Sequence, residues 1–251
     1  MRGWWREIAG LVLPVACGGC GRARTELCPP CRAELTEAGP RRVRPLPVPA
    51  GLPPVHAAAP YADAVRSVLL AHKERGALFL AGPLGEALAD AVTAAAGPCE
   101  TSEAAPLLLV PVPSSRRSVR ARGHDPTRRI ALAAAGRLRR SGRAARVIPL
   151  LRQRGAVADQ SGLDARGRLA NLAGALEVRS GGSRLVGRGR VVLVDDLMTT
   201  GASLAEAARA LRAVHRSFIP GLPGAGADRG FVQPVAAVVA TSPSSFEINR
   251  N

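Results

Sequence analysis

The chain has 251 residues, a hydrophobic fraction of 47% and a formal net charge of +16, from 35 basic and 19 acidic residues. Those values exclude wholesale disorder and leave room for one sizeable α/β domain with a small appendage. The basic excess is almost all arginine, with Lys73 the only lysine, and it asks for an acidic partner or a well-solvated surface; aromatics at 3% argue against a base-stacking platform for nucleic acid.

In chain order, the N-terminus "MRGWWREIAGLVLPVAC" carries a short apolar run, Ile8 to Ala16, broken by Pro14 and preceded by Glu7. An amphipathic helix leading into the cysteines fits it better than a signal or lipid anchor. No stretch is long enough to span a membrane, and a cytoplasmic protein is expected. Next come "CGGC" and "CPPC", seven residues apart. Each pair sets two thiolates on one tight knuckle, so Cys17, Cys20, Cys28 and Cys31 can surround a tetrahedral Zn²⁺. Gly18, Gly19 and Gly21 are read as letting the first knuckle turn sharply, and Pro29 and Pro30 as stiffening the second. A closed four-thiolate site has no open position, so its expected role is structural, worth on the order of 10 kcal/mol to folding. Cys99 is read as an ordinary free thiol. This segment is assigned to residues 1–39.

Residues 40–56, "PRRVRPLPVPAGLPPVH", are so rich in proline that only a linker or an extended edge segment fits. From 57 to 242 helical and strand patterns alternate. "YADAVRSVLLAHKERG" puts Val65, Val68, Leu69 and His72 on one helical face, and "LFLAGPLGEALADAVTAAA" predicts a second helix. "PLLLVPVP" predicts a buried strand, "DPTRRIALAAAGRLRRSG" a helix opened by Asp-Pro, and "RVIPLLRQ" a strand. After a Gly/Arg turn comes "VVLVDDLMTTGAS" as strand, turn and helix, then a Gly-rich inserted loop at 217–230 and the last strand "VQPVAAVVATS". Strands alternating with helices predict a parallel, helix-covered sheet. Residues 243–251 are read as a tail.

Val191 to Val194 show no polar alternation, so that strand is expected to be buried on both faces. At its carboxyl edge stand Asp195 and Asp196, then Thr199, Thr200, Gly201, Ala202 and Ser203 opening a helix. The N–H groups of a helix start stabilise an anion, Gly201 permits close approach, and the hydroxyls add donors. Two adjacent carboxylates repel phosphate but accept hydrogen bonds from vicinal hydroxyls. A ribose 5-phosphate matches both halves. A P-loop is excluded by the absence of its lysine motif.

All thirteen positions, Val191 to Ser203, resemble the 5-phosphoribosyl 1-pyrophosphate (PRPP) signature of the phosphoribosyltransferases. That resemblance implies that Asp195 and Asp196 accept the ribose hydroxyls and that Thr199 to Ser203 hold the 5-phosphate, with Mg²⁺ accompanying PRPP. "LCPPCRAEL", "HKERG", "PVPSSRRSVRARGHDP", "ADQSGLDARGRLANLAGAL" and "VVLVDDLMTTGASL" follow the order seen in the competence-associated ComF family, over roughly residues 11–215 and the final strand. The family implies a type I phosphoribosyltransferase-like parallel sheet flanked by helices, with a small N-terminal Cys₄ zinc-binding segment. It also implies pyrophosphate contacts at Pro113, Ser114 and Ser115, and a hood whose matched positions are Gln160, Arg166 and Asn171. Arg116, Arg117, Arg120 and Arg122 follow the pyrophosphate loop and suit a polyphosphate, a DNA backbone or plain solvent. Lys73 either reaches the sheet's carboxyl edge or is a helix-end surface charge. One departure is Arg122-Gly123-His124-Asp125-Pro126, where the family usually reads Arg-Gly-Phe-Asn-Gln. His124 and His215 have no triad or metal spacing and receive no role. Two functions remain open: an enzyme transferring phosphoribosyl to a base nitrogen with release of pyrophosphate, or a non-catalytic DNA-uptake protein that binds single-stranded DNA or a competence helicase. A PRPP-responsive regulator is weaker, because no helix-turn-helix is present.

Overall fold

The computed structural model describes residues 15–98, 105–154, 174–186, 188–217 and 233–247. Cys99, the hood positions Gln160, Arg166 and Asn171, and nearly all of the 217–230 loop lie outside them. A short helix, α1 (Pro29–Ala33), follows the second cysteine knuckle, and strands β1 (Arg41–Val43) and β2 (Val55–Pro60) form an antiparallel pair. Then come α2 (Asp63–Glu74), a 3₁₀ turn at Leu78–Leu80, α3 (Ala81–Ala96) and β3 (Leu107–Pro111). Helices α4 (Arg116–Arg122) and α5 (Pro126–Arg140) lead to short strands β4 (Ala145–Val147), β5 (Leu151–Gln153) and β6 (Leu176–Val178). The chain finishes with α6 (Ser183–Val186), β7 (Arg190–Met198), α7 (Ala202–Ser217), β8 (Val235–Thr241) and α8 (Pro243–Glu247).

Six strands make a mostly parallel sheet in the order β1-β2-β8-β7-β3-β4; only the edge strand β1 runs antiparallel. The sheet is covered on both sides, which explains the unbroken apolar run of β7. Val192 and Val194 pack in the layer with α2, α3 and α5, whereas Val191 and Leu193 pack in the opposite layer with α7, α8 and the β5–β6 ribbon. Val192, Leu193 and Val194 are fully buried, each contributing about 1.5–3 kcal/mol by burial.

Two stretches fold differently from their sequence patterns, and a third takes one of its two expected forms. "RVIPLLRQ" forms two strands in two different sheets, β4 at the main sheet's edge and β5 against β6, because Pro149 between them has no N–H to continue a ladder. The proline-rich segment contributes β1, so it is an extended edge over Arg41–Val43. Residues 243–247, read as tail, form α8, whose Phe246 is buried beneath β1 and β2, with Arg41 stacked over its ring at 5.2 Å. In addition, Leu78–Ala96 is long and apolar enough to cross a membrane by composition, contrary to the expectation that no segment is. More than half of that stretch is buried inside the fold, and its apolar face packs into the main core.

A side-chain clasp secures the small ribbon. Glu206 of α7 accepts from the Leu176 amide at 3.0 Å, and Arg209 donates to the Leu176 carbonyl at 3.0 Å while pairing with Glu206 at 2.7 Å. Burial pushes the Glu206 carboxyl up, but Arg209 and the Leu176 amide more than reverse that and hold it below its ordinary range.

Candidate functional site

After β3 the chain leaves through α4 and α5 toward β4; after the neighbouring β7 it leaves through α7 toward β8. These departures are in opposite directions and on opposite faces of the sheet. A crevice therefore opens outside the carboxyl ends of β3 and β7, the place where open α/β sheets bind ligands. Pro113 and Ser114 lie at one lip, just after Val112, whose amide bonds the Val194 carbonyl at 2.9 Å. Asp195 and Asp196 lie at the other, inside β7 rather than beyond it, because ladder pairing with β8 continues to Met198.

Lys73, in the last turn of α2, reaches this edge and donates to Asp196 Oδ2 at 2.7 Å. The Asp196 side chain is only 6% exposed and that of Lys73 32%. Desolvation alone would pull the Lys73 ammonium down, but the charge and hydrogen bond of Asp196, with Asp195 behind it, raise it above its usual value. Asp195 Oδ1 accepts from the Asp196 amide at 2.9 Å and from Thr127 Oγ at 3.4 Å. Desolvation first, and the Asp196 charge second, push the Asp195 carboxyl well above the usual carboxylate range, with Lys73 opposing them. One oxygen of each carboxylate is left untouched by Lys73 and Thr127. Thr127 was not legible as a site residue: it sits in the first turn of α5, and only the packing of that helix on β7 brings it here.

Thr199 to Gly201 form the bend between β7 and α7. Gly201 has φ +75°, in the left-handed region, and a Cβ there would stand 3.1 Å from Leu52, so glycine is needed for both conformation and space. Its carbonyl accepts from Ala205, starting the helix, and Thr200 Oγ accepts from the Ala202 amide at 3.4 Å. Thr199 is exposed, Thr200 and Ser203 are half-buried, and Ala202 is buried. A cleft of about 140 Å³ beside the bend is lined by Thr199, Thr200, Pro45, Leu46 and Pro47, and by serines of the α8 start, Ser242, Ser244 and Ser245.

The side chains of two residues expected at an anion have partners within the protein. Arg122 makes a two-pronged pair with Glu74, at 2.7 and 2.9 Å. Ser115 Oγ caps α4 by accepting from the Ser118 amide at 3.0 Å. Arg116 opens α4, but its side chain is outside the described atoms, as is Arg166.

The second candidate site is the cysteine cluster. The four Sγ atoms lie within 4.8 Å of one another, with Cys17–Cys28 and Cys20–Cys28 both at 3.6 Å. Four thiolates at about 2.3 Å from a tetrahedral Zn²⁺ would stand about 3.8 Å apart, so the cage is the right size for a metal ion. Cys17, Cys28 and Cys31 are buried and Cys20 is exposed. Burial pushes the Cys17 thiol up, but the backbone around Cys28, Cys20 and Gly19 reverses this and brings it down to about 6, whereas burial and the other cysteines hold Cys31 far above its usual value. Of the three glycines only Gly21 needs a left-handed conformation, with φ +79°. Gly19 is needed for room instead: a Cβ would fall 2.6 Å from Cys31 Sγ. The segment docks on α2, since Ala64 joins the cysteines' core and Glu34 accepts from the Ala64 amide at 3.2 Å, capping the helix whose last turn carries Lys73.

Comparison with protein-family models finds no match to this chain, and comparison with curated proteins finds none either.

Proposed function

We propose that this chain is a ComF-like, type I phosphoribosyltransferase-like protein that binds PRPP with Mg²⁺ at the carboxyl edge of β7 and transfers the phosphoribosyl group to a base nitrogen. The carrying observation is the juxtaposition, at the switch point of the sheet, of two adjacent carboxylates with a left-handed glycine and the start of a 16-residue helix. Carboxylate oxygens suit vicinal hydroxyls, and the helix start suits the 5-phosphate. Asp195, raised by burial and by its neighbour, is stabilised when ribose hydroxyls donate to it. Lys73 cancels part of the pair's charge and so lessens its repulsion of a polyphosphate.

In the transfer, the C1′–oxygen bond breaks and pyrophosphate departs with its electron pair. The C1′–nitrogen bond then forms and the nitrogen loses its proton. The carboxylates stabilise the cationic ribose, and the backbone N–H groups of Ser114 and Ser115 the leaving anion. Mg²⁺ would accompany the ligand beside Asp195 and Asp196 and would supply further charge neutralisation. Four thiolates favour Zn²⁺, which Cys17, Cys20, Cys28 and Cys31 would hold as a structural staple.

The test mixes the protein with PRPP, Mg²⁺ and a panel of bases and measures pyrophosphate release, with Asp195→Ala/Asp196→Ala as control. PRPP binding without release from any base would remove the transferase and keep the binding site. A second reading, the DNA-uptake protein, draws on Arg117, Arg120, Arg128 and Arg129. These are exposed on α4 and the first turn of α5, and none forms an ion pair among the described residues. It requires single-stranded DNA binding with a steep salt dependence, and a flat log–log slope would exclude it.

A further inference from the structure

The segment Arg122 to Thr127 connects α4 to α5 and touches both partners of the acidic site. Gly123 ends α4 in the left-handed region, and Asp125 caps α5 by accepting from the Arg128 amide at 3.0 Å. Between them stands His124, half-buried, with its ring edge-on to His72 at 5.8 Å. Nδ1 of His124 lies 3.0 Å from the Arg122 carbonyl oxygen, and Nε2 lies 3.2 Å from the His72 carbonyl oxygen. Both neighbours are acceptors only. A neutral imidazole has one N–H and one lone pair, so one nitrogen would point a lone pair at a carbonyl oxygen. Only the imidazolium, with N–H on both nitrogens, donates to both.

The position of those carbonyls gives the contact its consequence. The His72 carbonyl belongs to the last turn of α2, next to Lys73, which holds Asp196, while the His124 backbone leads directly into Thr127, which holds Asp195. Carbonyls at a helix end also carry the negative end of the helix dipole, which favours a cation there. We propose that His124 is a proton-dependent positioning residue that, as imidazolium, clamps the end of α2 to the start of α5 and so fixes Lys73 and Thr127 on the two aspartates. His72 does not share this part. Its Nδ1 faces the Ala77 carbonyl at 3.3 Å, its buried Nε2 makes no well-formed hydrogen bond, and burial outweighs the Ala77 and Pro126 backbone groups that favour its charged form and holds it below the usual histidine range. The other titratable or charged groups at the junction are Lys73 and Glu74 of α2, Arg122 of α4, Asp125 beside the ring, and Asp195 and Asp196 of β7. The Arg122–Glu74 pair ties the end of α4 to the end of α2 at the surface, and so does not join α2 to α5.

The clamp itself needs no ligand; its effect on ligand affinity rests on the phosphoribosyl reading. The experiment uses the full, zinc-loaded, ¹⁵N-labelled chain and follows histidine ring nitrogens and backbone amides by NMR from about pH 5.5 to 8.5. His124→Gln is the control, since its amide NH₂ has two donors at every pH, and His124→Phe has none. In the wild type, His124 will show N–H on both nitrogens at the acidic end, and the amides of Lys73, Thr127 and Asp196 will shift with the same midpoint as it loses one. In His124→Gln those amides will stay near the acidic wild-type positions throughout, and in His124→Phe near the alkaline ones. A single N–H on His124 at every pH, or amides that ignore its titration, overturns the clamp. Titration of Mg²⁺-PRPP then reads the consequence: affinity in the wild type will exceed that in His124→Phe by about tenfold at the acidic end and converge with it at the alkaline end, after the ligand's own phosphate titration is removed with the His124→Gln profile. Absence of PRPP binding with the amide shifts intact refutes the ligand reading and retains the clamp. PRPP binding with no such pH dependence overturns the role assigned to His124.

Discussion

Lys73→Met removes the ammonium from the acidic edge and keeps most of the stem that packs along α2. At 2.7 Å, the pair with Asp196 is worth about 6 kcal/mol at an effective dielectric constant of about 20 and about 1.5 kcal/mol in bulk water. Asp196 is nearly enclosed, but about a third of the Lys73 side chain meets solvent, so screening places the interaction between those bounds. Losing it leaves Asp196 buried beside Asp195 with no ion-pair partner among the described residues, and a net destabilisation of about 2–3 kcal/mol follows at pH 7. The sign with pH is definite. Lys73 is raised above its unfolded value, so its contribution is complete throughout neutral pH and is lost only as pH rises through its folded value. On the acid side the cost of Lys73→Met shrinks as the Asp195 carboxyl, held above its usual range, takes up its proton. Urea unfolding of the wild type, Lys73→Met, Asp196→Asn and the double variant closes a cycle, with a coupling energy of about 2–3 kcal/mol expected. A coupling below about 0.5 kcal/mol would show that Lys73 is only a surface charge, and the reading of the site as a compensated acidic pair would fall.

Other outcomes follow from the same geometry. Asp195→Asn should raise stability at neutral pH while weakening PRPP binding, because the folded state holds this carboxyl above its unfolded value. The wild type therefore loses stability relative to Asp195→Asn as pH rises from about 3.9 through the folded value, measurable as diverging melting temperatures. Protein prepared without chelator should contain about one equivalent of Zn²⁺, and its removal should lower the melting temperature sharply. Gly19→Ala should weaken metal retention in a chelator competition by about 1–3 kcal/mol, since the new methyl meets Cys31 Sγ at 2.6 Å. Zn²⁺ affinity should also fall as pH is lowered, because each thiol must lose its proton to bind the metal. Gly201→Ala should cost about 1–3 kcal/mol in stability and reduce phosphate-ligand affinity in calorimetry, since alanine is strained at φ +75° against Leu52.

Much of this protein is carried by local patterns. The α2 face, the capped α5, the unbroken apolar run of β7 and the paired cysteines each follow from spacing and residue type, because each is decided within one element or one tight turn. Both covered faces of the sheet were implied by the lack of polar alternation in Val191 to Val194. The proline-rich stretch was legible only as extended. That β1 pairs with β2, and that Pro45 and Leu52 close over Gly201, depend on partners far along the chain.

The assignment of individual charges divides along the same line. By itself, the sequence determined which chemistry is available: four thiols on two knuckles, two adjacent carboxylates, and a glycine before a helix. Only the tertiary structure decided which charges are compensated. Lys73 is spent on Asp196 and Arg122 on Glu74, Ser115 caps a helix, and Thr127 and His124, silent in the sequence, stand at the acidic site or the helix junction behind it. The physical reason is that a hydrogen bond or ion pair acts over about 3 Å. Lys73 and Asp196 are 123 positions apart, and only the stacking of α2 and α5 against β7 brings such groups within that distance.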